Sequence, residues 1–120
     1  MATLASLESL ITELRAFTAE RDWQQFHDPK NLAMLVASEA GELLAEYRWI
    51  ASSAADAYSA APDARARIAA EIGDVGIALV LLCDRIGVDL TVAMADKLEV
   101  NRRRYPADAA RGKANRPDGA

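Results

Sequence analysis

Two stretches of this chain, from Pro29 to about Trp49 and from Asp63 to about Ile86, repeat apolar residues every third or fourth position with no interrupting proline. A pattern of that length admits a helix and little else. Both stretches share an anomaly, because each sets acids inside its own apolar arc. At about 100° per residue, Leu32, Leu35, Val36, Leu43 and Ile50 fall within about 60° of Glu39, and so do Glu42 and Glu46. On the second stretch Ile68, Val75 and Leu82 fall within about 60° of Glu71, and so does Asp74. The device reads E-x-x-E on one helix and E-x-x-D on the other.

The rest of the chain supports an all-α class. Leu4, Leu7, Ile11 and Leu14 recur at helical spacing, which predicts a first helix over about 4–20. "RDWQQFHDPKN" breaks that pattern, and Pro29 opens the second helix. "ASSAADAYSAAPDA" is small and polar and reads as a loop, after which Asp63 offers an N-cap to the third helix. Gly87 ends that helix, Asp89 caps a fourth, and Pro106 stops it near Tyr105. Residues 107–120 lack apolar periodicity and are expected to form a disordered tail. The expected organisation is therefore one four-helix domain over 1–106, followed by that tail.

Composition excludes several classes. With 14 basic and 18 acidic side chains and a net charge of −4, the chain offers no broad surface for a nucleic-acid polymer. Its longest apolar run, Val75 to Cys83, is far short of the roughly 20 residues that a membrane helix needs. No secretory leader is evident, since Glu8 and Glu13 interrupt the first apolar stripe. The single cysteine, Cys83, forms no intrachain disulfide and reads as a core thiol, so a cytoplasmic setting is expected.

Burying one unpaired carboxylate costs several kcal/mol, and acids one turn apart also repel. Four inward acids therefore need a positive partner. The alternatives are rim salt bridges to Arg or Lys and a hard divalent cation bound by oxygen ligands. Two matched pairs on adjacent helices favour the cation, with Mg²⁺ ahead of Mn²⁺. Di-iron bundles use E-x-x-H pairs, and the one histidine, His27, lies outside any such motif. What remains is a divalent ion acting on a phosphate substrate.

The fourth helix supplies cations. Asn101 and Arg104 share a face with Lys97, along with Leu90, Ala93 and Met94, while Tyr105 sits at its edge. A lysine and an amide on one face suit a polyphosphate, although a Lys97–carboxylate bridge in the core is the alternative. Trp23 and Trp49 flank the second helix. Spacing alone leaves packing and base stacking both open for them.

"RDWQQFHDPKNLAMLVASEAGELLAEYRWI", "EIGDVGIALVLLCDRIGVDL" and "KLEVNRRRYP" resemble the MazG-like all-α nucleoside triphosphate pyrophosphohydrolases, and within them the dCTP pyrophosphatase branch. The resemblance spans about 4–106. It implies that Glu39, Glu42, Glu71 and Asp74 hold Mg²⁺, that Lys97, Asn101 and Tyr105 bind phosphates, and that Trp23, His27 and Trp49 lie near the base. Arg104 joins the phosphate-binding candidates from its place on the Lys97 face. The reaction implied is cleavage of a nucleoside triphosphate, such as dCTP, to the monophosphate and pyrophosphate in house-cleaning of the nucleotide pool. A homodimer or homotetramer is also implied. With no histidine in the acid cluster, Glu39 or Glu42 is the candidate for positioning the attacking water. Some dCTP-cleaving relatives carry a histidine about nine residues before the tryptophan matching Trp23. This chain has Leu14 there, so dUTP or a modified pyrimidine stays open as substrate. A rival of another class is a non-catalytic helical module for nucleotide binding or oligomerisation.

Overall fold

Ser6 starts the first helix through a reciprocal cap. Its hydroxyl accepts the Ser9 N–H at 3.0 Å, while the Ser9 hydroxyl accepts the Ser6 N–H at 3.2 Å. In this computed structural model, which describes residues 5–114, α1 then runs Leu7–Glu20. Leu4, where the periodicity begins, lies outside the described residues. Asp22 reverses the chain with a φ of 54°, in the left-handed region that aspartate tolerates better than most residues. A 3-10 turn at Gln24–Phe26 leads to Asp28, whose carboxylate accepts the Asn31 N–H at 2.9 Å and caps α2, Pro29–Tyr47.

The segment expected to be a loop is partly helical. A 3-10 turn at Ser52–Ala54 and a short helix α3, Ala55–Ala60, fill it. Small polar composition suggested coil, but contacts from distant helices order the link. Tyr47 and Ser59 share a hydroxyl bond of 2.6 Å, and the Tyr47 and Tyr58 rings meet edge to face at 5.9 Å. The cap of the next helix also shifts. α4 spans Pro62–Ile86 with Ala61 as its N-cap residue, because Pro62 takes the first helical position. Asp63 instead lies in the first turn, where its charge opposes the helix dipole. Gly87, at φ 73°, ends α4 in the left-handed conformation.

α2 and α4 form the main helix pair, with α1 and α3 also against α4. Glu46 meets Arg67 near one end of the pair, and His27 meets Arg85 near the other, so the two helices run antiparallel. Leu32, Ala64, Ile68, Ala78 and Val80 are the buried apolar residues, and Leu32 and Ile68 belong to the arcs read from the sequence. Cys83, expected in the core, is only partly covered. Its position about 120° round from Glu71 places it on the flank of α4.

The chain forms two compact units, Met1–Gly87 and Val88–Ala120. In the second, Asp89 accepts the Val92 N–H at 3.1 Å and the Thr91 hydroxyl at 2.6 Å, capping α5, Leu90–Arg104. The Thr91 bond comes first among the contacts that hold the Asp89 carboxyl below the usual carboxylate range. A final helical turn, α6, occupies Ala107–Ala110, the start of the stretch expected to lack structure. Pro106 is its N-cap residue, and the Ala109 and Ala110 N–H groups donate to the Pro106 carbonyl at 3.0 and 2.9 Å. The rest of the expected tail beyond residue 114 lies outside the described residues. The all-α class holds, with four long helices, the short α3 between α2 and α4, and the short α6 after α5 among the described residues.

Candidate metal centre

The antiparallel pairing of α2 and α4 brings the two acidic motifs face to face. Carboxylate oxygens of Glu39, Glu71 and Asp74 all lie within 4.8 Å of one another. Glu39 and Glu71 are half-buried and Asp74 is exposed, so the cluster sits at the edge of the helix interface and opens to solvent. Glu42 is exposed one turn along α2 and stands outside this threefold convergence.

Glu71 has the most demanding environment. Its Oε2 is buried with no hydrogen-bond partner. Burial pushes its carboxyl above the ordinary range, and the charges of Asp74, Glu42, Glu39 and Glu46 push it further. Glu42 therefore belongs to the electrostatic cluster although it is not one of the three converging groups. A buried orphan oxygen facing other carboxylates is what a hard cation satisfies, and oxygen-only donors suit Mg²⁺, Mn²⁺ or Ca²⁺. The residues present fit a divalent ion.

Rim salt bridges account for other acids instead. Among the described residues the ion pairs are Arg15–Asp84, Arg21–Glu20, Arg67–Glu46 and Arg102–Glu99. None includes Glu39, Glu42, Glu71 or Asp74. Glu46, the third inward acid of α2, accepts from Arg67 Nε at 3.4 Å and from the Tyr58 hydroxyl at 3.3 Å. Arg48 lies 5.8 Å from the Trp49 ring. Arg67 and Tyr58 were missed because Tyr58 sits in the apparent loop. Arg67 lies one turn before Glu71 on the same face, and that spacing was a signal for it.

The base-side candidates divide between two places. Trp23 packs edge to face against Phe17 at 5.6 Å and His27 at 6.5 Å, just before α2. Trp49 lies beyond the other end of α2 and is 86% exposed. The 19 residues of α2 span about 28 Å, so one chain does not bring Trp49 to Trp23 and His27. In the second unit, Lys97 and Asn101 line one shallow depression of about 410 Å³ together with Met94, Ala95 and Leu98. Lys97 is exposed and Asn101 half-buried. Arg104 lies 5.9 Å from the ring of Tyr105, and the Tyr105 N–H closes α5 on the Asn101 carbonyl at 2.8 Å.

Residues 35–116 match the MazG-like family. The chain is 40% identical to human dCTP pyrophosphatase 1 over 114 residues, covering 95% of this chain and 65% of that protein. The mouse dCTP pyrophosphatase 1 is also 40% identical, over 93% of this chain and 64% of that protein. The chain thus spans a little under two thirds of these curated relatives. A crystal structure of a pyrophosphatase from Archaeoglobus fulgidus superposes with a TM-score of 0.77 at 34% identity, covering 88% of this chain and 97% of that one. With its paired acidic helices and its match over most of the length, the chain belongs to the MazG-like family.

Proposed function

We propose that this protein hydrolyses a nucleoside triphosphate to the monophosphate and pyrophosphate, using a divalent cation, Mg²⁺ by preference, at Glu39, Glu71 and Asp74. The observation that carries this reading is the convergence of those three carboxylates around the unpartnered Glu71 Oε2. A cation held there supplies positive charge to phosphate oxygens and lowers the pKa of bound water. Glu39 and Glu42 are the two candidates for orienting the attacking water. Exposure of Glu42, one turn from the converging acids and without an ion pair among the described residues, favours it for that role. Lys97, Asn101, Arg104 and Tyr105 bind phosphate oxygens, and Lys97 and Asn101 present a cation and an amide on one face for this. Residues 1–106 act as one functional domain.

The substrate is a pyrimidine deoxynucleotide such as dCTP, a reading supported by the dCTP pyrophosphatase relatives. Leu14 leaves dUTP and modified pyrimidines as the alternatives within the same reaction. The working unit is a homodimer or homotetramer. Met34, Leu44, Trp49 and Ile72 of the first unit, and Val92, Met94 and Leu98 of the second, are each more than half exposed, and no described residue of the second unit is buried. A 15-residue helix with no buried face is marginal on its own, so a second copy is the natural cover. Trp49 of one copy would then join Trp23 and His27 of another at a single base. No helix among the described residues is long and apolar enough to cross a membrane, and a cytoplasmic setting is part of the proposal.

The test is a pyrophosphate-release screen over common and modified nucleoside triphosphates, with and without Mg²⁺ or Mn²⁺. Release of pyrophosphate that requires the cation and favours a pyrimidine supports the proposal. Nucleotide-induced thermal shifts without release from any substrate would leave only a binding module.

A further inference from the structure

Residues 21–28 bury no side chain fully, so directed contacts rather than core packing set where this segment lies. Within the segment, Gln25 Nε2 donates to the Asp22 carboxylate at 2.9 Å, and Asn31 Nδ2 from α2 donates to the Phe26 carbonyl at 3.1 Å. One tether reaches it from α4. Arg85 Nη1 donates to the His27 carbonyl at 3.1 Å and to the Gln24 carbonyl at 3.4 Å. Its neighbour Asp84 accepts a two-pronged contact from Arg15 of α1, at 2.5 and 3.0 Å. The Arg15 guanidinium holds the Asp84 carboxyl below the usual range. Two consecutive residues in the last turn of α4 therefore grip α1 and the segment that follows it.

That segment walls a depression of about 410 Å³, whose lining includes Phe26, His27, Asn31, Leu35 and Ser38. The depression extends along α2 to Ser38, which precedes Glu39 in the sequence.

We propose that Arg85 is a positioning residue for base selectivity: by holding the Gln24 and His27 carbonyls, it fixes the wall of this depression relative to Glu71 and Asp74 on the same helix. This rests on the nucleotide-hydrolase reading above. Arg85 touches neither the acids nor a phosphate in this role. It acts through the main chain that carries Trp23 and His27. Both bonds come from Nη1, and a lysine ammonium keeps the charge and has N–H donors of its own, but on a shorter stem and without the fixed guanidinium plane.

The experiment measures kcat and KM over a panel of pyrimidine and purine triphosphates for full-length wild type, Arg85→Met and Arg85→Lys. Loss of a hydrogen bond of this kind is worth about 2- to 10-fold. Arg85→Met is expected to narrow the kcat/KM ratio between best and worst base by that factor, through KM. Its kcat on the best substrate should stay near wild type, and Mn²⁺ affinity by calorimetry should not change. Arg85→Lys should recover part of the selectivity. An equal loss on every base, or a lower kcat with selectivity intact, overturns the proposal. Trp23→Ala, run alongside, separates the two readings. If it changes base preference while Arg85→Met does not, the Arg85 proposal alone fails. If Trp23→Ala leaves base preference untouched, the base-side reading fails and takes the proposal with it. Should Arg85→Met lose its helical circular dichroism, Arg85→Lys and Arg85→Gln carry the comparison.

Discussion

Trp49→Ala separates a residue that works from one that packs, and the structure makes the separation sharp. Trp49 is 86% exposed, so about a seventh of its surface is covered within its own chain. At about 25 cal/mol per Å², that cover is worth roughly 1 kcal/mol or less. Truncation should therefore lower the melting temperature of a dilute sample by only a few degrees. If the indole instead stacks on a base in the assembled enzyme, truncation removes about 1–3 kcal/mol of transition-state binding, a loss of about 5- to 150-fold in kcat/KM. Trp49→Phe keeps a π-face and should recover much of that loss. The assay is pyrophosphate release from the best nucleotide, with inorganic triphosphate as a base-free control and sedimentation to follow assembly. Equal losses on nucleotide and triphosphate, or an activity loss that tracks dissociation of the oligomer, would refute stacking and assign Trp49 to the interface.

Glu71→Gln and Glu42→Gln should each reduce turnover by orders of magnitude with helicity intact, and calorimetry with Mn²⁺ should show the larger affinity loss for Glu71→Gln, since Glu71 is the one of the two in the converging set. The pH dependence of the metal-free protein follows from the raised Glu71 carboxyl. Its folded form binds more protons than the unfolded form, so this group's effect on stability worsens as pH rises from its ordinary value of 4.5 through its raised one. Acidifying from neutrality toward that window should raise the melting temperature of wild type relative to Glu71→Gln, and a flat difference between the two would contradict it. Leu32→Ala, at a side chain 1% exposed, should cost about 2–5 kcal/mol in denaturant unfolding. Truncation before Ala107 removes only the α6 turn and the residues after it, and should leave turnover and melting temperature essentially unchanged.

Helical periodicity carried the parts of this fold that depend on local pattern. The apolar arcs of α2 and α4 held Leu32 and Ile68, and both are buried. The same arcs placed Glu39 and Glu71 where the helices meet, because position on a helix face follows from spacing alone. What spacing cannot give is depth. Glu42 and Asp74 share those arcs yet are exposed, since they lie on the side that faces outward once the two helices cross. Composition also misjudged residues 51–61, because α3 is ordered by Tyr47, Glu46 and Arg67 from elsewhere in the chain. Partners far apart in sequence, such as Arg85 for His27 and Arg15 for Asp84, leave no periodic trace.

The continuity of α4 bears on how such a chain can change length. Its 25 unbroken residues meet Glu46 through Arg67, then present Glu71 and Asp74, then take hold of α1 and the segment before α2 through Asp84 and Arg85. Adding or deleting one residue inside that helix would rotate everything beyond it by about 100° and shift it by about 1.5 Å. The acids and the two terminal grips would then no longer face their partners together. Insertions and deletions in homologues should consequently gather at the Ser52–Ala54 turn, and the interval from Arg67 to Arg85 should keep its length even where its apolar residues are freely exchanged.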